Sequence, residues 1–228
     1  MQPIKTTYGF WVIDSDQFIS RWAIQAGRLD HDQNLLPQIL KHIPKGGIVV
    51  DLGAYIGDHT VAYSRAVGVN GLVLAVEPND VAFRCLELNC EALVLSNVNC
   101  LNMAAGISLS SQAKIDWDVN VDNPGASRIV SGSGSKDLFF LNQYKGDVDF
   151  IKLDIEGWEP AFIYQNFDYL AMIHPTMVIE VNHGHLARAG SSFKELLELL
   201  NDLGYSVRNI YEWQPMEGDQ FDILAYMP

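Results

Sequence analysis

The chain is short of several things, and each shortage removes a class of protein. Basic residues are few: 15 Lys and Arg face 28 Asp and Glu, the formal charge is −13, and no Lys/Arg cluster occurs. Such a field repels phosphate backbones, so a nucleic-acid partner is disfavoured. The three cysteines, Cys85, Cys90 and Cys100, are too few for a disulfide framework. Cys85 and Cys90 lack metal-ligand spacing and read as small apolar residues of one helix. No apolar stretch is long enough to span a bilayer, and Met1 to Phe10 lacks a basic region followed by an apolar one. The expectation is a soluble chain with no membrane partner, in a reducing, cytoplasmic compartment. Repeats are absent. What remains, 228 residues at 48% hydrophobic and 19% charged, fills one domain, or one domain with a small cap.

What is present is organised around Val49-Val50-Asp51-Leu52-Gly53-Ala54-Tyr55-Ile56-Gly57-Asp58-His59-Thr60. An apolar run ends in an acid, two glycines follow, and a helix-like segment runs from Thr60 to Val67. That is a buried strand, a tight turn and a helix start, placed where ligands bind in open α/β sheets. A dinucleotide site has a third glycine and lays pyrophosphate on the helix end. Here Asp51 comes first and Asp58 opens the helix. Carboxylates there repel phosphate and suit a cationic amino group, which points to S-adenosylmethionine (SAM). Asp51, Gly53, Ala54, Tyr55, Gly57, Asp58, His59 and Thr60 are thus candidate cofactor residues.

A second apolar run, Leu72 to Val76, stops at Glu77-Pro78-Asn79. An acid about 20 residues past the glycine turn is placed to accept hydrogen bonds from ribose hydroxyls. It serves NAD as well as SAM. Asp80 to Leu93 reads as a helix with Val81, Leu86, Leu88 and Leu93 inward. Val98 to Leu101 is a third strand, ending at Asn102, Met103 and Ala104, which complete the candidate cofactor lining. Strands alternating with helices over short links predict a parallel sheet.

On either side of that pattern the chain changes character. Residues 1–33 mix aromatic and charged side chains, with a short strand over Gly9–Ile13 and a helix over Gln17–Ala26. They form a lid over the ligand or a packed extension, leaving 34–228 as the main domain. Asn34 to Ile43 reads as a helix, broken by Pro44-Lys45-Gly46-Gly47. Residues 107–136 are a polar excursion expected near the substrate, with Ile115–Val119 a candidate strand, 122–127 a loop and Ser131–Ser135 a linker. A strand over Val148–Leu153 then ends at Asp154-Ile155-Glu156-Gly157-Trp158-Glu159-Pro160, and Met177–Ile179 ends at Glu180-Val181-Asn182-His183. Ser192-Phe193-Lys194-Glu195 is a capping box for a last helix. Tyr205–Tyr211 and Phe221–Met227 are closing strands.

Laid out in this way, the chain resembles the FkbM-type family of SAM-dependent methyltransferases. The matching blocks are Val50 to Thr60, Val76 to Asn79, Asn123 to Ser127, Phe150 to Glu159, Val178 to Val181 and Phe221 to Ala225. The run Lys152-x-Asp154-x-Glu156-Gly157-x-Glu159 is the most family-specific. The resemblance covers roughly residues 29–228. It implies a class I SAM-dependent methyltransferase fold: a Rossmann-like, seven-stranded, mostly parallel sheet with helices on both faces and an antiparallel last strand. It further implies methyl transfer to an oxygen, often a sugar or natural-product hydroxyl. Tyr55 departs from the family, which commonly has Asn there. A side chain of that size must point away from the ligand or lie against it.

Methyl transfer from a sulfonium is an in-line displacement, so alignment and exclusion of water matter most. A hydroxyl also needs a base or a cation beside it. Two activations are open. In one, Asp154, Glu156, Glu180 or His183 takes the proton; in the other, Asp154, Glu180 and Asn182 hold Mg²⁺. His185 reads as a surface-loop residue, and Lys152 as a structural partner of Glu156 or Glu159. The expected partner is a small molecule bearing a hydroxyl. The competing classes are an NAD(P)-linked oxidoreductase, disfavoured by the missing glycine and the missing Tyr-x-x-x-Lys pair, and a non-catalytic SAM-binding module. Oligomeric state does not follow from the sequence.

Overall fold

The computed structural model describes residues 1–30, 33–106, 115–118, 128–131, 136–144 and 146–228. A hairpin of β1 (Pro3–Lys5) and β2 (Trp11–Ile13) and the helix α1 (Ile19–Ala26) come first, then α2 (Leu35–Leu40). The alternating body follows as β3 (Ile48–Leu52), α3 (Thr60–Val67), β4 (Leu72–Val76), α4 (Asp80–Ala92) and β5 (Val98–Leu101). Short elements come next: β6 (Ala104–Ala105), β7 (Ile115–Asp118), β8 (Arg128–Ser131) and β9 (Leu138–Phe139). The chain finishes with β10 (Phe150–Leu153), α5 (Glu159–Gln165), α6 (Phe167–Ile173), β11 (Thr176–Asn182), α7 (His183–Arg188), α8 (Phe193–Asp202), β12 (Ser206–Asn209) and β13 (Gln220–Tyr226).

Seven strands form the central sheet in the order β12-β13-β11-β10-β3-β4-β5. From β11 to β5 every pair is parallel, and β13 runs antiparallel to both neighbours. This is the expected fold class. The blocks at 122–127 and 132–135 lie outside the described residues; 115–118 pairs with 128–131 as an antiparallel ribbon. Among the described residues no helix is long and apolar enough to cross a membrane.

Side chains alternate across each strand, so the sheet has two apolar faces. Val50, Leu52, Ile151, Leu153, Ile179 and Ile223 pack against Phe162 and Ile163 of α5 and Leu196 and Leu200 of α8. Val49, Val73, Phe150, Val178 and Leu224 pack against Leu36 and Ile39 of α2 and Ala62, Tyr63 and Val67 of α3. The second face positions the site. Two residues beyond Val49, Phe150 and Val178 on the same face come Asp51, Lys152 and Glu180, and two before Leu224 comes Asp222. The apolar layer therefore ends, at the sheet's carboxyl edge, in a row of charge.

Two element readings need correction. The inward face of α4 is Ala82, Cys85, Leu86, Asn89 and Cys90 rather than Val81, Leu86, Leu88 and Leu93. Leu93 follows the helix and is exposed. The inward residues are small because β2 lies close against them, and Asn89 is drawn in by its hydrogen bonds. α2 is shorter than Asn34–Ile43; the chain turns after Leu40, yet Ile43 stays buried.

Candidate active site

The glycine turn is held by backbone amides meeting carboxylates and carbonyls. The N–H groups of Gly53 and Ala54 both donate to the carbonyl of Val76, at 3.1 Å each. Gly53 has φ +84°, and a Cβ there would stand 1.9 Å from the backbone oxygen of Asp154, so the loops after β3 and β10 touch. Tyr55 is left-handed too, at φ +49°. Its N–H donates to Glu77 Oε2 at 2.8 Å, while Glu77 Oε1 accepts from the Asn79 N–H at 2.7 Å. Each oxygen keeps a further lone pair for a hydroxyl. Asn79 then caps α4 through Oδ1. Pro78 stands between these two. The Tyr55 side chain points away from the turn, into a small core shared with Phe10, Val12, Ile13 and Ala23 of the N-terminal segment.

Asp51 is buried beside this turn, and Thr60 Oγ1 donates to its Oδ2 at 2.6 Å. Burial pushes its carboxyl up to about 6, against the Thr60 bond and the nearby His59 and Lys152. Glu77 is likewise pushed up to about 7 by burial, opposed by its two amide bonds. A carboxylate kept dry with one neutral partner is a place where a cation gains. Asp58 is buried on the same turn, and His59, just before α3, lies 3.3 Å (Nδ1) from the Tyr63 hydroxyl. Asn102 donates to the Glu77 carbonyl at 3.3 Å, and its own carbonyl accepts from Lys136, which also reaches Asp80. Met103 follows it, and Ala104 pairs in β6 with Leu138.

The second half of the site is built on Lys152. Its ammonium is 3.4 Å from Asp154 Oδ2 and 3.6 Å from Asp222 Oδ1, and the side chain is 3% exposed. Register explains the grouping: Lys152 lies opposite Asp51 on β3, and Glu180 opposite Asp222 on β13. Burial alone would lower the Lys152 pKa; Asp154, Asp222, Glu180 and Asp51 outweigh it and hold the ammonium charged. One cation cannot neutralise four carboxylates. Glu180 is accordingly pushed well above the usual range, by burial and then by Asp154. Burial raises Asp222 too. Asp154, with a side chain 35% exposed, is the open end of the row.

The partner expected for Lys152 was Glu156 or Glu159, and the structure corrects this. Glu159 Oε1 accepts instead from the N–H groups of Ile155 and Gly157, at 3.0 and 3.2 Å. It is buried, which pushes its carboxyl up to about 7, and it ties down the turn after β10. Glu156 sits in that turn at φ +61°, and its Oε2 lies 2.7 Å from His185 Nδ1. His185 is therefore no loose surface residue. It belongs to the helix α7, where the sequence reads as a surface loop. His183 opens α7 exposed, its ring 5.9 Å from those of Phe193 and Phe221, outside the charged row.

The structure does not bring Asp154, Glu180 and Asn182 together as a metal site. Asn182 Oδ1 caps α7 by accepting from the His185 N–H at 3.1 Å, and Gln220 Nε2 donates to Glu180 at 2.7 Å. Lys152 already supplies the cation for Asp154. Among the described residues no group of three or more His, Cys, Asp or Glu is arranged to hold a metal ion. Magnesium does not fit these residues.

Sequence reading missed the Lys152 hub and its partner Asp222. The signal was strand parity: Lys152 and Asp154 share a face, and Asp222 alternates with the apolar Phe221 and Ile223 while sharing its own face with Leu224.

Comparison with known proteins follows the same lines. Among curated proteins nothing matches. Solved structures with the same fold include a SAM-dependent methyltransferase from Aquifex aeolicus, at 18% identity and TM-score 0.50, covering 88% of this chain and 95% of that one. Another is a SAM-dependent O-methyltransferase from Thermotoga maritima, at 15% identity and TM-score 0.52, covering 100% and 78%. A third is methyltransferase FkbM from Methylobacillus flagellatus KT, at 18% identity and TM-score 0.52, covering 80% of this chain and 44% of that one, so this chain spans less than half of that protein. At such identities the likeness speaks for the fold alone. The family model for the methyltransferase FkbM domain matches residues 51–207, from the acid at the tip of β3 into β12. The chain belongs to the methyltransferase FkbM domain family.

Proposed function

We propose that this SAM-dependent methyltransferase methylates a hydroxyl oxygen on a sugar or another small molecule. The observation that carries the reading is the row Asp51, Lys152, Asp154, Glu180 and Asp222 along the carboxyl edge, beside the glycine turn. When bound, SAM supplies an electrophilic methyl on a sulfonium that leaves as a neutral thioether. The donor set suits it: Asp51 is a dry carboxylate for an ammonium, and Glu77 has spare lone pairs for ribose hydroxyls. Gly53, Ala54, Tyr55, Gly57, Asp58, His59 and Thr60 form the turn around that ligand; Pro78, Asn79, Asn102, Met103 and Ala104 border the adenosine side.

The hydroxyl proton has to go to a base as the oxygen attacks. Asp154 is placed for this, half-exposed and oriented by Lys152. Glu180 lies next along the row and accepts a hydrogen bond from Gln220 Nε2. Glu156 and His183 serve the acceptor side as lining groups in this scheme. The net charge of −13 favours a small acceptor over nucleic acid. An NAD(P) reading is disfavoured because Asp51 and Asp58 would face a pyrophosphate.

The test is product chemistry. The enzyme is incubated with ¹³C-methyl SAM and a panel of hydroxylated sugars and small natural products, and the labelled carbon is located by NMR. An O-methyl resonance is expected. A product methylated on nitrogen or carbon alone would overturn the oxygen assignment.

A further inference from the structure

We infer that Asp16 is a positioning residue of the cofactor turn, acting through Tyr55, so that the N-terminal segment is a working part of the site. The inference rests on the reading of that turn as the SAM pocket. The Tyr55 backbone is left-handed at φ +49°, which a bulky side chain adopts only when held. Two bonds hold it. The backbone N–H is on Glu77, and the hydroxyl donates to Asp16 Oδ2 at 2.7 Å.

Asp16 is itself immobilised. It is 3% exposed, Oδ1 accepts from the Phe18 N–H at 2.9 Å, and Oδ2 also accepts from the Ser20 N–H at 2.6 Å. Ser20 Oγ accepts from Ile13 N–H at 3.1 Å, joining β2 to the start of α1. A second latch lies nearby. Asn89 of α4, fully buried, exchanges bonds with the backbone of Trp11 at 2.6 and 2.9 Å and donates to the Ile56 carbonyl at 2.8 Å. The turn is thus clamped at Tyr55 and at Ile56 to β2 and the segment after it.

The consequence is specific. The strained Tyr55 backbone is what aims its N–H at Glu77, and Glu77 is the ribose acid of the proposed pocket. Releasing the phenol lets Tyr55 relax toward ordinary φ, and Glu77 loses an amide that orients it. A glycine at 55 would adopt the same φ without help, so Asp16 would then have nothing to hold.

The test is a double-mutant cycle read by calorimetric titration with S-adenosylhomocysteine, with melting curves to check folding. Y55F and D16A should each weaken binding roughly tenfold, the scale of one hydrogen bond to a charged group. For D16A the turnover number at saturating SAM should stay within about twofold, since Asp16 lies outside the turn and the acceptor side is untouched. In a Y55G background D16A should change Kd less than about twofold. Equal effects of D16A in both backgrounds would overturn the inference. So would an unchanged Kd in Y55F, which keeps the ring packed and so tests the bond even if D16A fails to fold. If wild type binds no S-adenosylhomocysteine at all, the SAM reading itself falls and this role with it.

Discussion

The two halves of the carboxyl edge are built on different physics. Around β3 and β4, carboxylates are satisfied by neutral donors: Thr60 on Asp51, backbone amides on Glu77. Around β10, β11 and β13, carboxylates crowd one buried ammonium. The first half is a rigid cradle whose shape is set by backbone. The second is a charged reservoir whose protonation can change while its shape stays. A transferase needs both, one to fix the donor and the other to accept a proton from the acceptor.

The largest effect should come from breaking the contact between the halves. Gly53→Ala puts a Cβ against the Asp154 backbone at φ +84°, and a loss above about 4 kcal/mol in urea denaturation is expected. Gly204→Ala is the control: φ is nearly the same at +85°, but only the end of Met227 lies near, so strain alone should cost about 1 kcal/mol. Equal losses would mean that the two loops are not locked together.

Next comes the reservoir. Lys152→Met leaves its carboxylates without a cation and should cost about 3–5 kcal/mol at pH 8. The penalty should shrink toward pH 5 as Glu180, Asp222 and Asp51, all raised by burial, take up protons. A penalty that does not vary with pH would deny the charged row.

The buried carboxylates that accept from neutral donors in both halves have a pH signature of their own. Asp51 rises from 3.8 to about 6, and Glu77 and Glu159 from 4.5 to about 7. Folded pKa values above unfolded ones give stability that is complete below the unfolded values and is lost as pH climbs through the folded ones. The unliganded protein should therefore lose stability steadily between about pH 4 and 7. His42, whose pKa is lowered mainly by burial, works in the opposite sense and blunts the slope. Denaturation midpoints across that range check the sign; a rise in stability toward pH 7 would refute it.

The smallest change concerns Asn182. As a helix cap it should cost about 1 kcal/mol on replacement by Ala and leave the turnover number unchanged. Loss of turnover without loss of stability would return it to the chemistry.

The difference between the halves also decides what the sequence could reveal. The cradle is local. Strand, glycines and helix start lie in one run, and Thr60–Val67 and Leu72–Val76 come out with the bounds read from periodicity and turn residues. The reservoir is assembled by register, and Asp222 reaches Lys152 only because β13 inserts antiparallel beside β11. No spacing announces that. Glu159 looked like an ion-pair partner and proves to be an anchor for turn amides, because the left-handed turn at Glu156 and Gly157 frees donors beside it. Tyr55 is a departure visible in the sequence, but its partner Asp16 lies in a segment that carries no family pattern.

The most direct measurement of the central claim is calorimetric titration of S-adenosylhomocysteine and NADH into wild type and Asp51→Ala. The account predicts that wild type binds S-adenosylhomocysteine and not NADH, and that Asp51→Ala loses at least about a hundredfold in affinity while remaining folded, as expected for an unpaired ammonium. Equal affinity in the two proteins, or NADH as the only ligand, would contradict it.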